Sequence, residues 1–313
     1  MIWGFGAALT WALDTVILSV ALAKGVFVST PQAIALAAFV STFLHDAGSA
    51  VTAFVYMALR RKLKDTLAIL KTRAGLVIMG AALIGGPLGM TGYVISVNNI
   101  GASYAAAISA FFPAWGAFLA AIALKERMHW FQWLGLIACL AAVAVLGYTP
   151  AEGIPGNWTV GIIGALACVL GWGTEAVVVD WGLRNTAVDN EVAMQIRQTT
   201  SALAYAAIIL PVLGGWGFAT DVLGSDAMPF VALAGASGTV SYLCYYRAID
   251  LIGASRAMAV NITYSAWAIP ISLIILGSIP DVKGVVCAIV IILGAICAAT
   301  DVRSMFGATS QEA

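Results

Sequence analysis

Apolar residues in this chain run in long blocks, interrupted by short charge clusters and by Gly/Pro punctuation. A helix needs about 20 residues to cross about 30 Å of hydrocarbon. Cutting at the interruptions predicts ten such helices: 2–23, 33–59, 74–97, 102–124, 130–148, 158–183, 190–213, 228–250, 255–277 and 281–301. The fold class expected is all-α, a membrane protein of ten transmembrane helices. No basic stretch precedes the first block and no soluble domain follows it, so 2–23 reads as a retained helix rather than a cleaved signal.

Composition agrees with this pattern. The 313 residues are 62% hydrophobic and 10% charged, with a mean hydropathy of +0.98. Soluble domains carry roughly 25% charge. A net charge of zero gives no sign of a nucleic-acid partner. Cys139, Cys168, Cys244, Cys287 and Cys297 fall in apolar runs without a CxxC pair, which predicts buried hydrophobes rather than disulfides or metal ligands.

The positions of Lys and Arg predict orientation. The stretch "RRKLKDTLAILKTR" between spans 2 and 3 carries six: Arg60, Arg61, Lys62, Lys64, Lys71 and Arg73. Lys125, Arg127, Arg184, Arg256 and Arg303 fall on the same side, whereas the other side has only Lys24 and Lys283. Both termini are therefore expected in the cytoplasm. The outer loops at 149–157 and 214–228 carry Glu152, Asp221 and Asp226 and no Lys or Arg.

The two halves match. "IGASYAAAISAFFPAWGAFLAAI" (100–122) aligns with "IGASRAMAVNITYSAWAIPISLI" (252–274) at an offset of 152, which also brings Tyr93 onto Tyr245 and Ser49 onto Ser201. At an offset of 161, "WALD" (11–14) falls on "WGTE" (172–175). Two five-helix repeats, 1–150 and 151–313, are expected in one membrane unit. An odd number of spans per repeat makes the copies point opposite ways. Inverted repeats are typical of secondary transporters, with the substrate site at the repeat interface near the midplane.

Charges at the centre of a span are costly and usually face a cavity. Asp14, Asp46, Glu175 and Asp180 lie inside spans. Asp14 and Glu175 are repeat equivalents, each one turn after a tryptophan, Trp11 and Trp172. The alternative is a structural acid, protonated or paired with Arg197 or Arg247. Asp180, nearer its helix end, is expected to snorkel to the interface. His45 and Asp46 are adjacent, so they should point about 100° apart. Asp46 is expected to pair with Arg197, beside Gln198. Trp11, Trp115, Trp172 and Trp267 lie deep, Tyr242, Tyr245 and Tyr246 cluster in "SYLCYYRAI", and Tyr264 lies one turn from Trp267. Aromatic faces attract quaternary ammonium groups, and one carboxylate supplies the counter-charge. Trp3, Trp130, Trp133, Trp158 and Trp216 sit near span ends and read as an interfacial belt.

No catalytic constellation is present in the sequence. There is no Gly-rich phosphate loop with a lysine, and two histidines, His45 and His129, are too few for a typical metal site. The stretch "GPLGM" (86–90) reads as a helix break or close crossing. Neither a catalytic residue, a metal ligand nor a cofactor is expected.

The strings "LHDAGS", "GPLGM", "ALACVLGWGTEAV", "IRQTTSALAY", "SYLCYYRAI" and "NITYSAW" resemble the drug/metabolite transporter superfamily (EamA-like), and within it the LicB-type bacterial choline transporters. The resemblance runs from about residue 5 to residue 300. It implies a multi-pass carrier in the bacterial cytoplasmic membrane that imports choline or a related quaternary amine, coupled to protons or to membrane potential. Trp11, His45, Asp46, Trp172, Glu175, Arg197, Gln198, Tyr242, Tyr245, Tyr246, Asn261, Tyr264 and Trp267 sit at matching motif positions, whereas Asp14 and Trp115 do not.

The expected substrate shell is Glu175 as counter-ion with Trp172, Trp11, Trp267, Tyr242, Tyr245, Tyr246, Tyr264, Trp115 and Asn261. The expected proton-coupling or buried charge network is Asp14, His45, Asp46, Arg197 and Gln198. The expected partners are a choline-like organic cation, protons and the bilayer. The rival readings are an exporter of amino acids, metabolites or hydrophobic drugs, and, less favoured, a membrane receptor.

Overall fold

The computed structural model describes residues 1–147, 157–186 and 188–300, without the side chains of 102 and 103. Glu152, Arg303 and the expected division at 150/151 lie outside the described residues.

Among the described residues all regular structure is helical. Nine helices are long and apolar enough to cross a membrane. They are α1 (Ile2–Leu22), α2 (Pro31–Leu59), α3 (Arg73–Gly101), α4 (Tyr104–Ala123), α5 (Trp130–Gly147), α6 (Trp158–Asn185), α7 (Asn190–Leu213), α9 (Ala254–Leu276) and α10 (Val282–Ala299). The tenth, α8 (Met228–Ile252), passes only together with Trp216–Leu223, from which it is bent by 97°. The chain is a multi-pass membrane protein.

Local chemistry sets the helix starts. Thr30, Thr72, Asn157, Asp189 and Asp281 each accept a hydrogen bond from a backbone N–H of the first turn that would otherwise lack a partner. Pro31 follows its cap at a position where no N–H is needed.

Inside the bundle, α1 packs on α8, α3 on α6, α5 on α10, and α2 on α7 and α8. Apolar burial gives little drive to helix association in lipid, so close backbone approach matters more. Glycines provide it. A methyl on Gly92 of α3 would stand 2.6 Å from the carbonyl of Gly164 on α6, and the reverse holds. Gly135 of α5 and Gly294 of α10 repeat the arrangement, also at 2.6 Å.

Several backbone irregularities recur at the offset of 152. Gly101 (φ 80°, ψ 158°) ends α3, and Gly253 (φ 83°, ψ 162°) ends α8. A side chain would strain that backbone, and glycine avoids the cost. α4 is interrupted by a turn at Ala110–Phe111 and α9 by one at Ile262–Thr263. The π-helical stretch Ile84–Met90 of α3 is not matched in α8, and Pro87 within it accounts for the altered hydrogen bonding.

Two expectations are corrected. Asp180 does not snorkel. It is fully buried and ligated by Arg184 (Nε–Oδ1 2.6 Å, Nη2–Oδ2 2.8 Å) and by the N–H of Ala254 at 2.8 Å. Arg247 does not reach the central acids; it is half-exposed and pairs with Asp250 at 3.0 Å.

Candidate functional site

The central polar cluster joins α1, α2, α6 and α7. Asp14, His45, Asp46, Glu175, Arg197 and Gln198 are all buried. His45 stands between two carboxylates: Nε2 is 3.0 Å from Asp14 Oδ2 and Nδ1 is 3.1 Å from Asp46 Oδ1. The side chains of His45 and Asp46 thus converge despite their adjacency on the helix. Gly238 of α8 makes the space. A methyl there would meet His45 Nε2 at 2.7 Å and Asp14 Oδ2 at 3.0 Å.

Each N···O contact holds one proton. The two protons sit on an imidazolium between two carboxylates, or on a neutral imidazole and one carboxylic acid. The trio carries one net negative charge in either arrangement.

Asp46 continues the chain. Its Oδ2 accepts from Ser201 Oγ at 2.6 Å and lies 3.7 Å from Arg197 Nη1. Arg197 Nε donates to Glu175 Oε1 at 2.7 Å, and its Nη1 donates to Gln198 Oε1 at 2.5 Å. Gln198 Nε2 donates to Ser49 Oγ at 2.5 Å, and Ser49 meets Thr239 Oγ1 at 2.9 Å. The expected Asp46–Arg197 pair is present, and Arg197 is shared with Glu175. Glu175 is therefore not the lone carboxylate that the sequence suggested.

Aromatic rings flank this chain in two groups. Trp11 packs edge-on against Tyr242 at 5.3 Å and Tyr264 at 6.2 Å. Tyr242 meets Tyr246 at 6.1 Å, Tyr246 meets Tyr245 at 6.4 Å, and the Arg197 guanidinium lies 4.4 Å from the centre of the Tyr242 ring. On the other side Trp172 lies between Tyr93 at 5.8 Å and Phe112 at 5.7 Å. Trp11–Tyr264 and Trp172–Phe112 occupy positions that the two sequence offsets make equivalent. Trp115 donates to Thr174 Oγ1 at 3.0 Å and lies tilted against Phe118 at 5.7 Å. Trp267 has no such acceptor, because the residue equivalent to Thr174 is Leu13.

The π-helical stretch of α3 forms the floor. Gly85 abuts the Glu175 carboxylate, Gly86 abuts Ser201, and a methyl on Gly89 would meet Trp172 Cδ1 at 2.9 Å. "GPLGM" is thus both a break and a close crossing. Among the described residues, Asp14 Oδ1, Tyr246 Oη, Asn261 Oδ1 and Trp267 Nε1 are buried without a hydrogen-bond partner. Unmet groups of this kind are costly unless a ligand or water meets them.

Gly238 and Gly85 as shaping residues, and Ser49, Ser201 and Thr239 as links, are not legible in the sequence, whereas Gly89 lies within the stretch read as a close crossing. Nor is the role of Glu126 legible there. This acid accepts from Ser255 N at 3.2 Å and Ser255 Oγ at 2.6 Å, and bonds Arg184. With Asp180 it ties α6 and the α4–α5 connection to the start of α9.

A bundle of this kind, with acidic and basic side chains buried between its helices, is a polytopic membrane protein built around a polar centre. The chain belongs to the EamA-like transporter family, whose profile matches residues 1–148 and 159–300. It is a transporter of the drug/metabolite superfamily and not an enzyme. It is 33% identical over 191 residues to Protein LicB of Haemophilus influenzae, a match covering 60% of this chain and 63% of that protein. The match thus spans less than two thirds of that relative's length. A solved crystal structure shares the fold, with a TM-score of 0.69 and 19% identity over 95% of this chain and 96% of the other.

Proposed function

We propose that this transporter imports a small organic cation of the choline type by alternating access. The carrying observation is the charge count at the centre. The Asp14–His45–Asp46 trio holds one net negative charge, and Glu175 and Arg197 offset one another. One negative charge remains on a trio whose Asp14 stands one helical turn from Trp11, and the Trp11 ring packs on Tyr242 and Tyr264. A monocation balances that charge; a zwitterion or an anion does not. Cation–π attraction adds about 2 kcal/mol or more per ring in a desolvated site.

Within this reading Trp11, Trp172, Trp267, Trp115, Tyr242, Tyr245, Tyr246, Tyr264 and Asn261 form the substrate shell with Glu175. Asp14, His45, Asp46, Arg197 and Gln198 form the network that couples transport to protons or to membrane potential. The two halves, 1–150 and 151–313, are inverted copies that rock about the site. Support for the halves comes from the paired glycine conformations at Gly101 and Gly253 and the paired helix breaks at Ala110–Phe111 and Ile262–Thr263. The Lys/Arg asymmetry supports cytoplasmic termini, and the LicB likeness supports a bacterial cytoplasmic membrane.

The test is calorimetry on the purified protein with choline, betaine, a neutral amino acid and a hydrophobic drug cation. Choline should bind and betaine should not. Equal binding of betaine or the amino acid would refute the charge argument and favour the exporter of metabolites. Uptake of labelled choline into proteoliposomes, with and without a proton gradient, separates a carrier from a receptor.

A further inference from the structure

A cavity of about 270 Å³ opens between the start of α3 and the end of α6, lined by Arg73, Ala74, Val77, Trp181, Asn185 and Thr186. It belongs to the basic end of the bundle, away from the central site. One side is apolar: Ala74, Val77 and the ring of Trp181. The polar side carries one charged group, Arg73. Asn185 Nδ2 donates to the carbonyl of Trp181 at 2.9 Å, and Thr186 Oγ1 to that of Gly182 at 2.6 Å. Both complete the last turn of α6. The Arg73 guanidinium makes no ion pair among the described residues.

The neighbourhood is cationic by surplus. Of the six basic residues at 60–73, Arg60 and Lys62 are taken up by Asp189 and Glu191. Arg61, Lys64, Lys71 and Arg73 have no acidic partner among the described residues. Leu76 of α3 and Ile163, Leu166 and Leu170 of α6 are exposed in a multi-pass membrane protein and so face lipid, not water. The cavity thus lies at the end of a lipid-facing surface, with Trp181 at the depth where aromatic residues gather. Basic pockets between helices at the membrane boundary suit anionic head groups.

We propose that this cavity holds the head group of an anionic phospholipid, with its phosphate on Arg73 and its glycerol and upper acyl chain along Ala74, Val77 and Trp181. Free inorganic phosphate shares the charge but leaves the apolar wall uncovered. This proposal stands apart from the choice of transported substrate.

Native mass spectrometry of the full chain, released from nanodiscs of mixed phosphatidylglycerol and phosphatidylcholine, tests it. Wild-type protein should retain phosphatidylglycerol in preference to phosphatidylcholine. Arg73→Gln should lower that retention about fivefold, the effect of one basic residue at a membrane surface, and Arg73→Lys should restore it. Trp181→Leu should lower it too. Millimolar inorganic phosphate should not displace the lipid. Equal retention of the two lipids, an unchanged Arg73→Gln protein, a lysine that fails as glutamine does, or displacement by phosphate would each overturn the assignment. Thermal unfolding of the same samples confirms that each variant is folded, whatever the transported substrate.

Discussion

Arg197 Nε lies 2.7 Å from Glu175 Oε1, with both side chains buried between α6 and α7. A buried charge left alone is far more costly than a buried pair. Arg197→Met should therefore destabilise the protein by roughly 3–5 kcal/mol. Adding Glu175→Gln should recover a large part of that loss. Thermal unfolding in detergent of the two single variants and the double variant checks this; additive losses would mean that the two side chains are not coupled.

The same pair sharpens the expectation for substrate. If Arg197 holds Glu175, the uncompensated charge resides on the Asp14–His45–Asp46 trio. Asp14→Asn should then weaken choline binding at least tenfold, about 1.4 kcal/mol. Binding isotherms at neutral pH measure it. Wild-type affinity in Asp14→Asn would return the counter-ion role to Glu175.

Trp11 and Trp172 occupy equivalent sequence positions but different company. Trp11 shares its ring cluster with Tyr242, which carries the Arg197 guanidinium at 4.4 Å, whereas Trp172 sits between Tyr93 and Phe112 on the glycine floor. Trp11→Leu should raise the choline dissociation constant by about tenfold, within the range of one desolvated cation–π contact. Trimethylammonium and its uncharged carbon isostere should differ in wild type and converge in the variant.

Gly92 and Gly164 hold α3 against α6 by backbone contact, each standing where the other's methyl would need to be. Gly92→Leu forces the helices apart. Overpacking of this kind costs about 1–3 kcal/mol or more. A lower melting temperature, with choline affinity reduced through displaced Trp172, is the expected result. Gly80→Leu, where a methyl meets nothing, should leave both unchanged.

Asp180 and Glu126 share Arg184 and bind the first backbone and side-chain groups of α9 at Ala254 and Ser255. This contact ties α6 and the α4–α5 connection to the start of α9 at the basic end of the bundle. Asp180→Asn should loosen it, and a cysteine at Ser255 should then react faster with a water-soluble maleimide applied from that side. Unchanged labelling would show that the contact does not control access.

The sequence by itself determined the class of fold and the inventory of the site. Apolar blocks of about 20 residues leave the backbone no option in lipid but helix, because every N–H and C=O must be satisfied within its own segment. The acids and aromatics that converge were visible for the same reason: in an apolar span a charge or a tyrosine hydroxyl is rare and costly, so Asp14, His45, Glu175, Arg197 and Tyr242 stood out against their neighbours. The offset of 152 makes Gly101 and Gly253 equivalent, and the structure gives them the same backbone conformation.

Only the tertiary structure decided who pairs with whom. Periodicity orients a side chain on its own helix, but which carboxylate Arg197 reaches depends on how α2, α6 and α7 cross. Asp180 looked like an end-of-helix residue by count, and became a fully buried ligand of Arg184 and Ala254 because the start of α9 folds over it. The glycines at 85 and 238 carry no chemistry to flag them in a sequence rich in glycine. Their role is the space they leave, and that space exists only once a second helix, with its Glu175 or His45, comes to fill it.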